Sequence, residues 1–200
     1  LFTKEHFQSA LNHLGPGGLF ITKLHLQGHP RSDFDSILGT FGEVFPHVTV
    51  WFPVTKPFVF FYLVGSAEPQ RFSPRRIDDE LSKDKVHSSA AYLNFQSSLD
   101  VLSCYIADEQ DMAAYLQDYR INSDYHPYVE FNLDPQNLVL EEDFPKLVDV
   151  LRRGSLERHI DWAGFSQQQR NQWITDYDLR YKIATVLLKG HTERGWLSNL

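Results

Sequence analysis

Along the first third of the chain, the spacing of apolar positions switches between the helical and the strand period. Behind Thr3, a residue type favoured as an N-cap, Phe7, Ala10, Leu11 and Leu14 recur at helical spacing. Gly15-Pro16-Gly17-Gly18 ends that run, supplying a positive-φ stop and a residue that cannot continue the turn. Leu19 to Leu26 then reads as a strand, and its first residues are continuously apolar, as in a strand covered on both faces. Ser32 or Asp33 is expected to cap a second helix that carries Phe34, Ile37, Leu38, Phe41 and Val44 on one face and closes at Pro46. His47 to Phe52 alternates polar and apolar residues, and Phe58 to Val64 is rich in aromatics. The link between them, Pro53-Val54-Thr55-Lys56-Pro57, has hairpin length. Helix, strand, helix, strand, strand over residues 1 to 66 predicts the closing portion of an α/β sheet with an antiparallel edge hairpin.

From Ser73 onward the pattern turns helical. Arg75 to Leu81, Ala90 to Leu93, Asp100 to Ala107 and Glu109 to Leu116 read as helices, and Tyr128 to Leu133 as a short extended run after a turn-rich break. Phe144 to Leu151 reads as a helix stopping at Gly154. Ser166 and Gln169 form a capping box for the longest helix, whose stripe Trp173, Tyr177, Tyr181, Ala184 and Leu188 is expected to end at Gly190. The chain therefore divides into residues 1–66, part of an α/β domain; 67–134, a helical extension returning to the sheet; and 135–200, a helical tail.

An apolar share of 42% and an aromatic share of 14% leave enough material for a core and exclude a disordered chain. Lys+Arg 19 against Asp+Glu 26 gives a net charge of -7 without long runs of one sign, which argues against nucleic acid as a partner. Arg71, Arg75 and Arg76, followed by Asp78, Asp79 and Glu80, read as a solvated helix start. The single cysteine, Cys104, excludes an internal disulfide, fits a reducing, cytoplasmic setting, and sits among apolar neighbours as a buried residue. Val48 to Val64 is broken by Pro53, Lys56 and Pro57 and reads as two strands, since a membrane span needs about 20 apolar residues. The chain opens at Leu1 directly in a helical pattern, which is expected of a cut edge.

Several segments in order then resemble one family. They are Leu1-Phe2-Thr3-Lys4-Glu5-His6-Phe7; Leu14-Gly15-Pro16-Gly17-Gly18-Leu19-Phe20; Ile37-Leu38-Gly39-Thr40-Phe41-Gly42-Glu43-Val44-Phe45-Pro46-His47-Val48; Leu63-Val64-Gly65-Ser66; and Ile121-Asn122-Ser123-Asp124-Tyr125-His126-Pro127 running into Val129-Glu130-Phe131. This set is similar to the spermidine synthase (polyamine aminopropyltransferase) family, over residues 1 to about 131. The resemblance implies the C-terminal half of a methyltransferase-like Rossmann fold, in which the last strand inserts antiparallel between the two before it. The order expected here is 19–26, 58–64, 47–52, a three-stranded remnant. It also implies that the glycine loop, the ribose-binding acid and the catalytic aspartate precede the segment matching Leu1. These 200 residues hold no Gly-x-Gly-x-x-Gly and no Asp-x-x-Asp-Pro. Backbone that approaches the nucleoside and a carboxylate that accepts the amine's proton are what transfer requires. The chain is therefore expected to bind no cofactor by itself, with decarboxylated S-adenosylmethionine or S-adenosylmethionine belonging to a longer parent protein. Leu24-His25-Leu26-Gln27 and Val54-Thr55-Lys56-Pro57-Phe58 depart from the family's polyamine-binding segments.

Other residue groups carry a sharp and a bland reading. His25 and His29, with His47 and Glu43 nearby, suggest metal ligands only at helical spacing, and Gly28 and Pro30 make this a loop. His25 and Gln27 lie at a strand's carboxyl end, where α/β sheets contact ligands, and are the substrate-binding candidates of a parent enzyme. Asp124, His126 and Glu130 carry acid/base chemistry in principle, but Asn122, Asp124 and Pro127 are also what a tight structural turn requires. Trp173, Tyr177 and Tyr181 at helical spacing read as helix packing rather than base stacking. Strand 19–26, without a neighbour, would expose an apolar edge. Self-association there as a two-fold dimer is expected, unless the helical tail covers it. The same tail is the candidate docking site for a protein partner.

Overall fold

The computed structural model of the chain describes residues 1–25, 30–53, 60–132 and 156–192. Over them the protein is mixed α/β, with eight α-helices and a four-stranded sheet. In chain order these are α1 (Lys4–Asn12), β1 (Phe20–His25), α2 (Arg31–Val44), β2 (His47–Trp51), β3 (Phe60–Ser66), α3 (Pro74–Leu81), α4 (Asp84–Tyr92), α5 (Ser98–Leu102), β4 (Tyr105–Asp108), α6 (Glu109–Tyr115), α7 (Tyr128–Phe131), a 3-10 turn (Leu156–His159) and α8 (Gln167–Thr192). Two compact units share the chain. The first comprises Leu1–Phe52, Val59–Gln70 and Ile106–Gly154; the second comprises Pro53–Phe58, Arg71–Tyr105 and Ser155–Leu200.

In the first unit, Thr3 Oγ1 accepts the His6 N–H at 3.4 Å and so starts α1. After the helix, Gly17 takes φ +67, open to glycine at little cost. α2 begins earlier than Ser32 or Asp33 would dictate: Pro30 occupies its N-cap position without a side-chain cap, and Asp33 lies inside the first turn. A carboxylate there is favoured by the unpaired N–H groups of the helix start. The sheet order is β1-β3-β2-β4. β3 runs antiparallel to both neighbours, from Phe20↔Gly65 to His25↔Phe60 on one side and from His47↔Ser66 to Trp51↔Tyr62 on the other. The last strand of the hairpin thus lies between the two strands that precede it, in the expected order.

One face of this sheet is closed by α1 and α2. Phe20 stacks on Phe45 at 5.6 Å and 8°, Phe7 meets Phe41 edge-on at 5.0 Å, and Phe34 meets Phe61 at 5.2 Å. Leu24, Ile37, Leu38, Val48, Val50 and Leu63 are fully buried beside them. Each such side chain contributes about 1.5–3 kcal/mol by leaving water. On the other face, Gln70 closes the β2 side: it accepts the Thr49 hydroxyl at 2.6 Å and donates to Val64 O at 3.0 Å. Trp51 Nε1 donates to Thr49 Oγ1 at 2.8 Å. Toward β1 this face opens, with Leu19 52% and Ile21 59% exposed. The continuous apolar run at Leu19-Phe20-Ile21 is therefore not covered on both sides; only Phe20 has helices over it.

Sequence periodicity errs where elements are short. Residues 105–108 form a fourth strand rather than the end of a helix. The Ser97/Asp100 capping box starts α5 and Asp108 caps α6, leaving between them a four-residue run buried at every position. A short buried run has no period to read. The sheet thus has four strands, not three. Residues 128–131 form one helical turn behind Pro127 instead of an extended run. α4 is longer than Ala90 to Leu93, and α8 runs through Gly190 to Thr192. The helix expected at 144–151 lies outside the described residues.

The second unit is held by carboxylates and arginines. Asp78 accepts the Ser98 N–H at 2.6 Å and its hydroxyl at 3.1 Å, fastening α3 to the start of α5. Asp100 accepts Ser97 N–H at 2.8 Å and also pairs with Arg180 of α8. Arg71 donates to Arg158 O at 2.5 Å and Arg75 donates to Gly164 O, so both reach backbone carbonyls rather than only solvent. Cys104 is buried, as its apolar neighbours suggest. The Ser166/Gln169 box opens α8, with reciprocal bonds of 2.9 and 3.3 Å. Trp173 stacks on Tyr177 at 5.5 Å and meets Trp162 edge-on at 5.5 Å, so this stripe packs. Among the described residues no helix is long and apolar enough to cross a membrane.

A Cβ on Gly65 would stand 2.6 Å from the Phe45 ring atom Cδ1, whereas one on Gly15 would meet nothing within 4 Å. Gly65→Ala is therefore expected to destabilise the protein by about 1–3 kcal/mol through overpacking, and Gly15→Ala by less than about 0.5 kcal/mol, both read from urea unfolding.

Candidate functional site

The carboxyl end of β1 and the first turns of α2 form the place where open α/β sheets usually meet ligands. His25 ends β1 with its ring 4.8 Å from that of Phe60, and Lys23 Nζ lies 3.7 Å over the same ring. Gln27 and His29 lie outside the described residues, so of the two substrate-binding candidates only His25 has a described position, half-buried on the open face of the sheet.

The helix start opposite is richer than its sequence suggests. Asp33 is fully buried, and Asn132 Nδ2 donates to its Oδ1 at 2.7 Å. The same amide reaches Tyr128 Oη at 3.3 Å, and Tyr128 Oη donates to Ser32 Oγ at 3.4 Å. Two residues on, Asp35 accepts the Tyr115 hydroxyl at 2.7 Å and pairs with Arg31 at 3.7 Å, while Arg31 also lies over the Tyr115 ring at 5.2 Å. Burial raises the Asp35 carboxyl above the ordinary carboxylate range, and the Tyr115 hydroxyl and Arg31 recover only part of that shift. Burial, then the Asp35 carboxylate, pushes the Tyr115 phenol far above its usual value. Tyr115 therefore stays a donor and cannot serve as a base at neutral pH. Asp35, Tyr115 and Asn132 were not singled out from sequence, and Asp33 only as a helix cap. The available signals were two carboxylates at i, i+2 in one helix start and Tyr128 with Asn132 at i, i+4.

Asn122, Asp124 and Pro127 come together in one turn. Asn122 is completely buried. Its backbone N–H donates to Thr40 Oγ1 at 2.9 Å, its Nδ2 to Phe2 O and Glu130 Oε2 at 3.1 Å each, and its Oδ1 accepts Val129 N–H at 3.1 Å. Its carbonyl accepts Lys4 N–H at 2.8 Å. Asp124 N–H donates to Glu5 Oε2 at 2.9 Å, Ser123 and His126 exchange backbone bonds, and Pro127 stands before α7. Burial pulls Glu130 upward, but the Asn122 amide and the residue's own backbone N–H outweigh it and leave this carboxyl below its usual range.

A further cavity of about 220 Å³ lies between α2 and α6, lined by Gly39, Gly42, Glu43, Glu109, Met112 and Tyr119 among others. Its two carboxylates are engaged: Glu43 accepts the Tyr119 hydroxyl at 3.2 Å, and Glu109 accepts Val48 N–H at 3.2 Å and lies 3.7 Å from His47 Nδ1. Among the described residues no group of three or more His, Cys, Asp or Glu side chains is arranged to hold a metal ion. The polar groups of both places bond to one another across elements and fix the α2 face.

The chain matches no protein-family model, no curated protein and no solved structure.

Asn122→Ala removes several bonds from a site closed to water and strands the groups they satisfied. A loss of about 2–4 kcal/mol is expected in urea unfolding. Asp35 gives a pH signature. A carboxyl whose folded value is raised contributes stability that is complete below its unfolded value and disappears as pH rises through the folded one. The unfolding free energy of the native protein relative to Asp35→Asn should therefore fall as pH rises through and above the carboxylate range, and a flat or rising difference would refute the raised value.

Proposed function

We propose that residues 1–66 are the C-terminal part of a methyltransferase-like Rossmann domain of a spermidine-synthase-like protein, followed by a helical extension over 67–134, and that this chain alone does not catalyse transfer. The observation that carries the reading is the strand order. β1 and β2 run parallel to each other, joined through α2, and β3 returns antiparallel between them. Further support comes from the sheet's end at β1, where Leu19 and Ile21 are exposed on a face that doubly wound domains cover with a second helical layer. In this reading a preceding segment supplies the backbone cradle for decarboxylated S-adenosylmethionine or S-adenosylmethionine and the carboxylate that takes the attacking amine's proton. His25 and Gln27 are the substrate contacts of the intact parent. Asp33 and Asp35, engaged with Asn132 and Tyr115, hold α2 in place and are not the proton acceptor.

A second reading, a non-catalytic protein-interaction module, draws on α8. Leu179, Ile183 and Val186, four and three residues apart, are 58%, 51% and 68% exposed on that helix. An apolar stripe at this spacing is what helix-in-groove recognition uses.

The two readings separate on the coding frame before Leu1, while nucleoside binding tests whether these 200 residues lack the cofactor-binding half. Titration calorimetry with methylthioadenosine, S-adenosylmethionine and its decarboxylated form is expected to show no heat of binding to these 200 residues. The coding frame before Leu1 is expected to carry a glycine loop and an Asp-x-x-Asp-Pro segment. Micromolar binding by the 200-residue chain, or a preceding frame without those segments, defeats the transferase reading.

A further inference from the structure

Strand β1 ends the sheet, with β3 on one side and no further strand on the other among the described residues. Proteins protect such an edge with proline, a bulge, a very short strand or an inward-pointing charge. β1 has no proline and no bulge, and its one charge is that of Lys23. Its register with β3 is unbroken from Phe20↔Gly65 to His25↔Phe60, and Lys23, its one lysine, turns its ammonium over the Phe60 ring of its own sheet. Leu19 and Ile21, beside the open edge, are more than half exposed.

We propose that this edge docks a second copy of the chain, the two β1 strands pairing antiparallel about a two-fold axis at Thr22. The sequence of the strand selects that register. In an antiparallel pair the residues directly opposite share a face, so a two-fold axis must pass at a residue and not between two. With the axis at Thr22, Phe20 stands opposite Leu24 of the second copy and continues the helix-covered apolar face. Ile21 stands opposite Lys23, so the lysine stem lies along an exposed isoleucine and the two ammonium groups stay apart. An axis at Lys23 sets the two lysines against each other, and an axis at Ile21 leaves Leu24 and His25 beyond the paired stretch. A six-residue edge is small beside the roughly 1,200–2,000 Å² of a stable interface, so the dimer is expected to dissociate in the micromolar range. The inference concerns the 200-residue chain and rests on the open edge, not on the transferase reading.

Sedimentation of the whole chain between about 1 and 200 μM tests it. The mass should rise from 23.3 kDa toward twice that value. Ile21→Lys places like charges across the junction and should weaken the dimer at least about tenfold, whereas Ile21→Glu sets opposite charges there and should keep or tighten it. Independently, Thr22→Cys in a Cys104→Ala background should yield a disulfide-linked dimer under mild oxidation, because the two introduced thiols would face one another across the axis. A monomer throughout the concentration range, equal effects of the two Ile21 substitutions, or failure of the Thr22→Cys chains to cross-link overturns the proposal. If Ile21→Lys fails to fold by circular dichroism, the cross-link decides.

Discussion

The first unit depends on one buried amide. Asn122 is sealed from water, and its donors and acceptors reach the chain before α1, the middle of α2 through Thr40, and Val129 and Glu130 in the α7 turn. An amide in that position costs little only while every bond is made, because each unsatisfied group carries its own desolvation penalty of about 1–3 kcal/mol. The requirement is mutual. Phe2 O, Val129 and Glu130 are positioned by the same side chain and Thr40 by the backbone N–H of the same residue, so segments more than a hundred residues apart settle together.

Carboxylates play the corresponding part elsewhere. Asp78 and Asp100 receive backbone N–H groups at the start of α5, Asp108 receives those of Gln110 and Asp111 at the start of α6, and Asp33 sits in the first turn of α2. Helix starts leave unpaired donors and favour negative charge, so acids placed there satisfy both needs. A chain with more acids than bases thus uses several of them as fasteners. Among the described residues no group of three or more His, Cys, Asp or Glu side chains is arranged to hold a metal ion, in keeping with this use.

How much of this could be read from sequence depended on element length. α1, α2, the hairpin and α8 carry several turns or several alternations, so their apolar period stood out; the starting caps of α1 and α8 agreed with it, whereas α2 starts behind Pro30 rather than at Ser32 or Asp33. β4, with four residues buried at each position, has no period, and the same apolar letters read as a continuation of α5. The α7 turn behind Pro127 was hidden in a similar way. The antiparallel order of the first three strands followed from the family resemblance rather than from any single residue. At the start of α2 the carboxylates were visible as letters, but their partners Tyr115 and Asn132 are about eighty and a hundred residues away, and no local pattern announces a pairing of that range.

The segments of the two units alternate along the chain, and this bears on the order in which they can be completed. The first unit takes residues up to Phe52, then Val59–Gln70, then resumes at Ile106, while the second fills Arg71–Tyr105 and resumes at Ser155. Neither unit can be released by one proteolytic cut or expressed as an uninterrupted stretch. A nascent chain that has emerged only to Gln70 owns β1, β2 and β3 but not β4, Asn122 or the α7 turn, so its sheet must wait for residues made later. Long-range closure of this kind slows folding and lengthens the time during which unpaired strands stand open to other molecules.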